Sequence, residues 1–375
     1  MPNAMQRLDF NRSETPTLGV EIELALVDNQ SLSLTSACPA LLEAVGDFPR
    51  GAAKPELMQC YIELNTDVCQ TVGEAGTQLR RNLSTLQAAA DQCDVSLLWS
   101  ATHPFSSWHD QSVTDNPRYR GLVNLLQDTA RQLITFGLHV HVGVDSGDKA
   151  VMICDRMLRH LPTLLAASCN SPFWEGRQTG LSSWRTKVME GLPTAGLPPF
   201  MRNWSEYVWL LQHLIQTGFI ETIREIWWDI RPHHNFGTVE VRICDMPGNL
   251  EDALGLVALT HCLVKQLSDS IDEGLYQHDC HPMMVRQNKW RAARYGLEAE
   301  LVDTTTHEMI PARRVLEDLV DQLRPVSREL RCESELQHLL DMSRQPSWAS
   351  RQMSHLKTSG DPRELVRWMT SQSRI

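Results

Sequence analysis

The clearest pattern in the chain is alternation. From Leu133 to Asp145 the sequence reads LITFGLHVHVGVD, where Leu138, Val140, Val142 and Val144 alternate with Gly137, His139, His141 and Gly143. Successive side chains of a strand point to opposite faces, so this run predicts a strand with one apolar face and one face carrying two histidines between glycines. Three other runs share the design. In TLGVEIELALVD, Leu18, Val20, Ile22, Leu24 and Leu26 oppose Glu21 and Glu23. In YIELN, Ile62 and Leu64 oppose Glu63, and in GTVEVRICD, Val239, Val241 and Ile243 oppose Glu240 and Arg242. If these strands pair in one sheet, its second face gathers carboxylates and imidazoles. Such a face is costly unless cations neutralise it.

Helical periods fill the space between. They predict helices over Pro39–Val45, Thr71–Asp94, Tyr119–Arg131, Asp148–Ser168, Trp204–Thr217, Leu250–Ser270 and Pro282–Tyr295, and from Pro311 to the end. Lys54–Asn65 reads as a strand region, Val95–Thr102 as a short apolar strand, and Trp227–Arg231 leads into the Glu240 strand. The run SPFWEGRQTGLSSWRTKVMEGLPTAGLPPF, Ser171–Phe200, has no sustained period and is dense in Gly, Pro, Ser and Trp. An aperiodic stretch of this length inside a domain reads as a lid, with Arg185 the residue it would bring over the site. Ionisable strands interleaved with helices between positions 19 and 244 predict one catalytic domain over residues 1–375, with 304–375 a C-terminal helical segment.

Composition narrows the class. A net charge of −11 without a strong basic stretch argues against nucleic acid as a partner. The ten cysteines show no CxxC spacing and read as reduced, mostly buried thiols. The N-terminal MPNAMQRLDFNRSE lacks the apolar region of a signal peptide, and no apolar run approaches a membrane span. These features together predict a cytoplasmic protein with no membrane partner, and leave a homo-oligomer open.

The alternating face carries the chemistry. Glu21, Glu23, Glu56, Glu63 and Glu240 with His139 and His141 offer mostly oxygen ligands. That set suits Mg²⁺ or Mn²⁺ rather than zinc, and is large enough for two ions that could in turn hold a triphosphate. Arg242 shares the face of Glu240, and Arg231, Arg291 and Arg294 could clamp carboxylate or phosphate oxygens. Lys289 lies on the same predicted helix as Arg291 and Arg294 and joins the candidate substrate- and ATP-binding set. Glu56 is an odd number of residues from Glu63, so it needs a bend or bulge to share the face. There is no Gly-rich P-loop and no GxGxxG, so any ATP would be held by metals and arginines.

The segments GVEIEL, ATHPF, TFGLHVHVGV, SPFWEGRQTGLSSWR, FGTVEVRICD and NKWRAARYGLEAELVD together resemble the carboxylate–amine ligase family, also called type 2 glutamate–cysteine ligases. The resemblance runs from about Leu18 to Asp303. It implies an α+β, glutamine synthetase-like fold: a curved, mainly antiparallel sheet with flanking helices and the active site on the concave face. It also implies ATP-dependent formation of γ-glutamyl phosphate from glutamate, then attack by an amine, nominally cysteine. By similarity to the wider superfamily, Glu23, Glu56 and Glu63 would hold one metal, and Glu21, His139 and Glu240 a second. His141 would face the phosphates, and Arg242 the transferring phosphoryl group or the substrate carboxylate. The superfamily's glutamate pair is spaced one residue wider than Glu56 and Glu63, which puts Glu56 in question.

Two other classes compete. A metal-dependent hydrolase of the amidohydrolase type also carries HxH on a strand, but early in a (β/α)₈ barrel with further His and Asp ligands later. A non-catalytic nucleotide- or metal-binding protein would keep the face without the turnover. Release of ADP with and without amino acids separates the three.

Overall fold

The computed structural model describes residues 8–46, 48–49, 51–275, 277 and 280–374; the first seven residues of the stretch read for a signal peptide lie outside the described residues. The alternating runs become strands: β1 (Leu18–Asp28), β2 (Ala53–Pro55), β3 (Tyr61–Asn65), β4 (Val95–Leu98) and β5 (Gly137–Gly143). Further on come β6 (Phe173–Trp174), β7 (Arg177–Gln178), β8 (Ala195–Gly196), β9 (Trp227–Trp228), β10 (Ile230–His233) and β11 (Thr238–Asp245), with β12 (Glu300–Val302) and β13 (Met309–Pro311) as a separate hairpin. Seven of them form one sheet in the order β10-β11-β5-β1-β3-β2, with β4 also on β1. Every ladder in that sheet is antiparallel. β1 is long enough to pair β5 through Leu18–Ile22 and then β4 through Ala25–Asp28.

The helices are α1 (Cys38–Val45), α2 (Val72–Gln92), α3 (Pro117–Leu126), α4 (Asp128–Arg131), α5 (Gly147–Met157), α6 (Leu161–Ser168), α7 (Arg185–Met189) and α8 (Trp204–Gln216). They continue with α9 (Leu250–Asp272), α10 (Pro282–Tyr295), α11 (Ala312–Glu329), α12 (Glu333–Ser343), α13 (Trp348–Ser359) and α14 (Pro362–Gln372). α2 packs on β1 and α9 on β5, while α5 covers β10 and β11. Val20, Ile22, Leu24, Leu138, Val140, Val142, Val239 and Val241 are all buried. Each contributes about 1.5–3 kcal/mol by leaving water. One apolar cluster runs from Leu18 through Leu254 and Leu339 to Met369, so the C-terminal helices share the core of the sheet. Side-chain bonds reinforce this: Trp348 Nε1 donates to Asp252 Oδ2 at 2.6 Å, and Gln352 Nε2 to Asn170 Oδ1 at 2.6 Å.

Three expectations change. Lys54–Asn65 is a hairpin, not one strand: β2 and β3 pair Lys54 with Glu63 and Pro55 with Ile62. The parity between Glu56 and Glu63 therefore carries no meaning, because a turn separates them. The helix expected over Asp148–Ser168 breaks between Met157 and Leu161. Pro162 has no N–H to give and its ring would clash one turn back, so α6 starts afresh with proline in its first turn. The helix expected over Tyr119–Arg131 breaks at Gln127, which takes a left-handed φ of 53°. The cysteines are free, and all but Cys93 are buried. Among the described residues no helix is long and apolar enough to cross a membrane.

Candidate active site

Antiparallel register brings the ionisable positions side by side. Glu23 of β1 faces Glu63 of β3, and Glu21 faces His139 of β5. His141 faces Glu240 of β11, which faces Arg231 of β10. His139 Nδ1 lies 3.2 Å from Glu21 Oε2. His141 Nε2 lies 3.4 Å from Glu21 Oε1 and 3.8 Å from Glu240 Oε1, while its Nδ1 meets Thr238 Oγ1 at 3.0 Å. Glu21 thus sits between both imidazoles. Ligand atoms of Glu21, His141 and Glu240 lie within 4.8 Å of one another, as do those of Glu21, Glu63 and His139. The family resemblance grouped His139 with Glu240; in the sheet the imidazole in register with Glu240 is that of His141.

The electrostatics divide the face in two. On the β11 side the carboxylates are matched. Burial works against the charge of Glu240, but Arg231 and Arg242 outweigh it and hold the carboxyl well below its usual range. Glu21 is partly buried, and its contacts with His139 and His141 outweigh that burial and hold its carboxyl well below the usual range. On the β3 side they are not matched. Burial pushes Glu23 up to about 7, with Glu63 adding repulsion and Arg185 opposing. Burial followed by Glu63 and Glu23 raises Glu56 well above its ordinary value, and burial followed by Glu21 raises Glu63. The one lysine in register, Lys54, reaches Glu63 at 3.4 Å and is half exposed. A divalent cation would balance this side. The imidazoles agree: Nε2 of both is buried without a hydrogen-bond partner, and burial followed by Arg242 lowers His139 to about 4, leaving it a neutral donor. Burial opposes charge on His141, but Glu240 and Glu21 raise it. The residues present therefore fit a hard cation with oxygen and imidazole ligands.

This imbalance gives the metal-free protein a definite pH response. A carboxyl raised on folding binds more protons in the folded state, so stability is highest below the ordinary carboxylate range and falls as pH rises toward the folded value. For Glu23 that window runs from 4.5 to about 7. The loss is roughly 3 kcal/mol from this group, on the order of 5 °C in Tm. Thermal unfolding in EDTA should show that fall between pH 5 and 7.5, and Mg²⁺ or Mn²⁺ should remove it. A flat metal-free profile would contradict the unmatched-carboxylate account.

The other expected residues divide sharply. Arg185 does reach the face. Its guanidinium lies over Gly137, where a Cβ would collide with it, and donates to the carbonyls of Arg242 at 3.2 Å and Ile243 at 3.3 Å. The glycine that alternates with the histidines is thus the space this arginine occupies. Gly137 N also donates to Glu23 Oε2 at 2.5 Å. Arg242 pairs with Glu240 and lies 3.5 Å from His139 Nδ1. Arg231 is otherwise committed: it donates from Nε to Glu240 Oε2 at 2.7 Å and from Nη1 to the carbonyls of Ile223 and Ile226. It supports Glu240 and has no free edge for a substrate. Lys289 is buried between Asp229 at 2.5 Å and Glu190 at 2.8 Å, a strut tying the end of α7 to the start of β10. Arg291 reaches the carbonyl of Glu300, and Arg294 lies over the Tyr295 ring. Neither lines a cavity at the polar face. Helical spacing put these three cations on one element, but α10 packs on α6 rather than over the sheet.

Ser171–Phe200 is not a loose flap. Asp245, at the end of β11, accepts from Ser171 Oγ at 2.7 Å and Ser183 Oγ at 2.8 Å, and the N–H groups of Ser182 and Ser183 both donate to the Ala293 carbonyl. The first half of the segment is an anchored insert that carries Arg185 in place, so a lid is not required to bring it there. The expectation of a lid came from missing periodicity, and polar side-chain bonds hold this segment instead.

Two cavities flank the face. The smaller, about 80 Å³, is lined by Glu23, Glu56, His139, Arg185 and Arg242, closed by Tyr119 and Trp227. The larger, about 550 Å³, is lined by Glu21, Lys54, Asn65, His141, Thr238 and Phe236. Thr238 and Asn65 lie two residues from Glu240 and Glu63, so the same alternation marks them. Asn65 Nδ2 donates to Glu63 Oε1 at 2.8 Å. Lys54, Phe236, Tyr119 and Trp227 carry no periodic signal.

The chain is similar to known proteins along most of its length. The family model for glutamate–cysteine ligase family 2 (GCS2) matches residues 17–367. A Gloeobacter violaceus protein named "Putative glutamate--cysteine ligase 2" is 43% identical over 331 residues, covering 88% of this chain and 89% of its own. A Frankia casuarinae protein named "Putative glutamate--cysteine ligase 2-1" is 41% identical over 358 residues, covering 94% of each chain. Among solved structures, the glutamate–cysteine ligase of Francisella tularensis in complex with AMP superposes with a TM-score of 0.71 at 13% identity, covering 98% of this chain and 90% of that one. A bifunctional glutathione synthetase from Pasteurella multocida gives 0.68 at 15% identity, covering 96% of this chain and 52% of that one. Such low identities speak for the fold alone: helices on an antiparallel sheet, with no closed barrel among the described residues. The family match spans nearly the whole chain and takes in every residue of the polar face, and the chain belongs to the glutamate–cysteine ligase family 2.

Proposed function

We propose that the protein is an ATP-dependent carboxylate–amine ligase that activates the γ-carboxylate of glutamate by phosphorylation and transfers the acyl group to an amine, nominally cysteine. The observation that carries this is the placement of one charged face between two cavities of unequal size and different lining. A nucleotide fits the larger, open one, where Lys54, Asn65, Thr238 and His141 offer donors toward phosphate oxygens. An amino acid fits the smaller one, where Arg185 and Arg242 offer charge to a carboxylate. Between them Glu21, His139 and Arg242 mark the place where a γ-phosphoryl group would cross.

A carboxylate oxygen is a poor leaving group, and phosphate is a good one. Transfer of the γ-phosphoryl from ATP to the γ-carboxylate releases ADP; attack by the amine nitrogen on the acyl carbon then releases phosphate and leaves an amide. The protein's share is positioning and charge. Arg242 offsets charge on the moving phosphoryl group, His141 donates a hydrogen bond to a phosphate oxygen, and Arg185 holds the carboxylate side of the site. Divalent cations held among Glu21, Glu23, Glu56, Glu63, Glu240 and His139 would neutralise the β- and γ-phosphates, with Mg²⁺ or Mn²⁺ suited to so oxygen-rich a set. The apolar side chains lining the smaller cavity, among them Leu57, Leu122 and Met189, would limit the water that otherwise hydrolyses an acyl phosphate.

The hydrolase alternative calls for a (β/α)₈ barrel, and the strands among the described residues form an antiparallel sheet instead. Turnover with ATP, Mg²⁺, glutamate and hydroxylamine tests the rest. The expected products are γ-glutamyl hydroxamate, ADP and phosphate in equal amounts. AMP and pyrophosphate, or ADP release indifferent to glutamate, would defeat the proposal.

A further inference from the structure

Arg118 is the cation at the smaller cavity that the polar face does not account for. It lies in the first turn of α3 and lines the cavity together with Glu23, Glu56, Arg185 and Arg242. Among the described residues the other cations near the site have carboxylate or carbonyl partners: Arg231 and Arg242 on Glu240, Arg185 on two carbonyls, Lys54 on Glu63. The Arg118 guanidinium lies over the Tyr119 ring, 5.4 Å from its centre, and among the described residues no ion pair or side-chain hydrogen bond engages it. Its position is also against the helix. The first turn of a helix favours anions, so a cation there does not serve α3.

The element is nevertheless held firmly. Asn116 caps α3 by accepting from Arg118 N at 2.9 Å, and Tyr119 Oη donates to the Pro55 carbonyl at 3.3 Å. Thr114 Oγ1 donates to the Glu56 carbonyl at 2.5 Å, and Thr114 N to the Leu57 carbonyl at 2.9 Å. The segment that carries Arg118 is therefore tied to the one that carries Glu56. A half-buried guanidinium on a tethered helix thus lines the cavity across from the sheet.

We propose that Arg118 forms the subsite for the free α-carboxylate of the amino acid that is phosphorylated, which restricts the donor to molecules carrying one. This rests on the ligase reading above and extends it. With the γ-carboxylate directed at Arg242 and Arg185, the α-carboxylate is presented to the helix side of the cavity, where Arg118 can bind both its oxygens. A donor whose α-carboxylate is an amide loses the charged pair.

The test compares L-glutamate with its α-amide, isoglutamine, in the wild type, Arg118→Met and Arg118→Lys. Two readouts run in parallel: ADP release with Mg²⁺-ATP and hydroxylamine, and calorimetric binding of each amino acid with Mg²⁺ present. Wild type should prefer glutamate by about 100-fold in kcat/KM, the scale of a charge-assisted pair. In Arg118→Met that preference should fall to within a few-fold, because glutamate worsens while isoglutamine does not; Arg118→Lys should recover part of it. A structural role would lower both donors alike and keep the ratio, and a ratio unchanged in both variants overturns the proposal. Wild type that binds glutamate and prefers it, yet releases no ADP, would sink the ligase reading and leave the anchor standing. Wild type that does not discriminate in either readout overturns the anchor alone if glutamate still drives ADP release.

Discussion

Glu21→Gln should lower kcat about 1,000-fold, roughly 4 kcal/mol of transition-state stabilisation, the scale of lost charge neutralisation at a phosphoryl-transfer site. Glu21 is the carboxylate between the two imidazoles. It is common to both groups of closely placed ligand atoms, touches both imidazoles, and separates the matched carboxylates from the unmatched ones. The amide keeps the shape and one acceptor oxygen but removes the charge. Half-saturation by Mg²⁺ should therefore move up at least tenfold, and the rise in Tm that Mg²⁺ gives the wild type should largely disappear. Kinetics within tenfold of wild type at the same Mg²⁺ concentration would show that Glu21 is a spectator between two better sites. A loss of activity accompanied by unfolding at ordinary temperature would be uninformative about metal, and the metal-dependent part of Tm guards against that.

The polar face was legible because alternation is a local property. β1, β5 and β11 each announce which side of the sheet their charges occupy, and pairing then follows from burying the apolar sides together. The family resemblance supplied the fold and the roles; the strands themselves supplied only the face. What local pattern could not supply is the partner of each cation. Lys289 is paired with Asp229, 60 positions away, and that pairing turns a candidate ligand-binding residue into a strut. Arg231 was recognised as belonging to the site, but its commitment to two carbonyls depends on where Ile223–Glu225 turns beneath it. Arg118 carries no period and no motif; only the tie between α3 and the β2–β3 hairpin brings it to the cavity. The parity argument about Glu56 lapses for a related reason: it presumes one strand, and Leu57–Cys60 turns the chain back.

Arg242 should prove the residue whose loss most hurts chemistry while sparing the fold. Arg242→Met is expected to lower kcat about 1,000-fold, the lower end of what a phosphoryl-directed arginine contributes, with a smaller change in KM for glutamate. Arg242→Lys should recover little, since a single ammonium cannot span two oxygens as a guanidinium does. The fold should tolerate the change because Glu240 keeps Arg231, whose Nε and Nη2 hold both carboxylate oxygens at 2.7 and 3.4 Å. Arg231→Met removes the other partner with the opposite expectation. It leaves the Glu240 carboxylate, 1% exposed, without its buried guanidinium and strips hydrogen bonds from the carbonyls of Ile223 and Ile226. Breaking a buried pair in this way costs about 3–5 kcal/mol, so that variant should melt well below the wild type. Tm and kcat measured on both variants thus separate two arginines that share one carboxylate. Retention of more than a tenth of wild-type kcat by Arg242→Met, or a larger Tm loss there than in Arg231→Met, would reverse the assignment and make Arg242 the structural member of the pair.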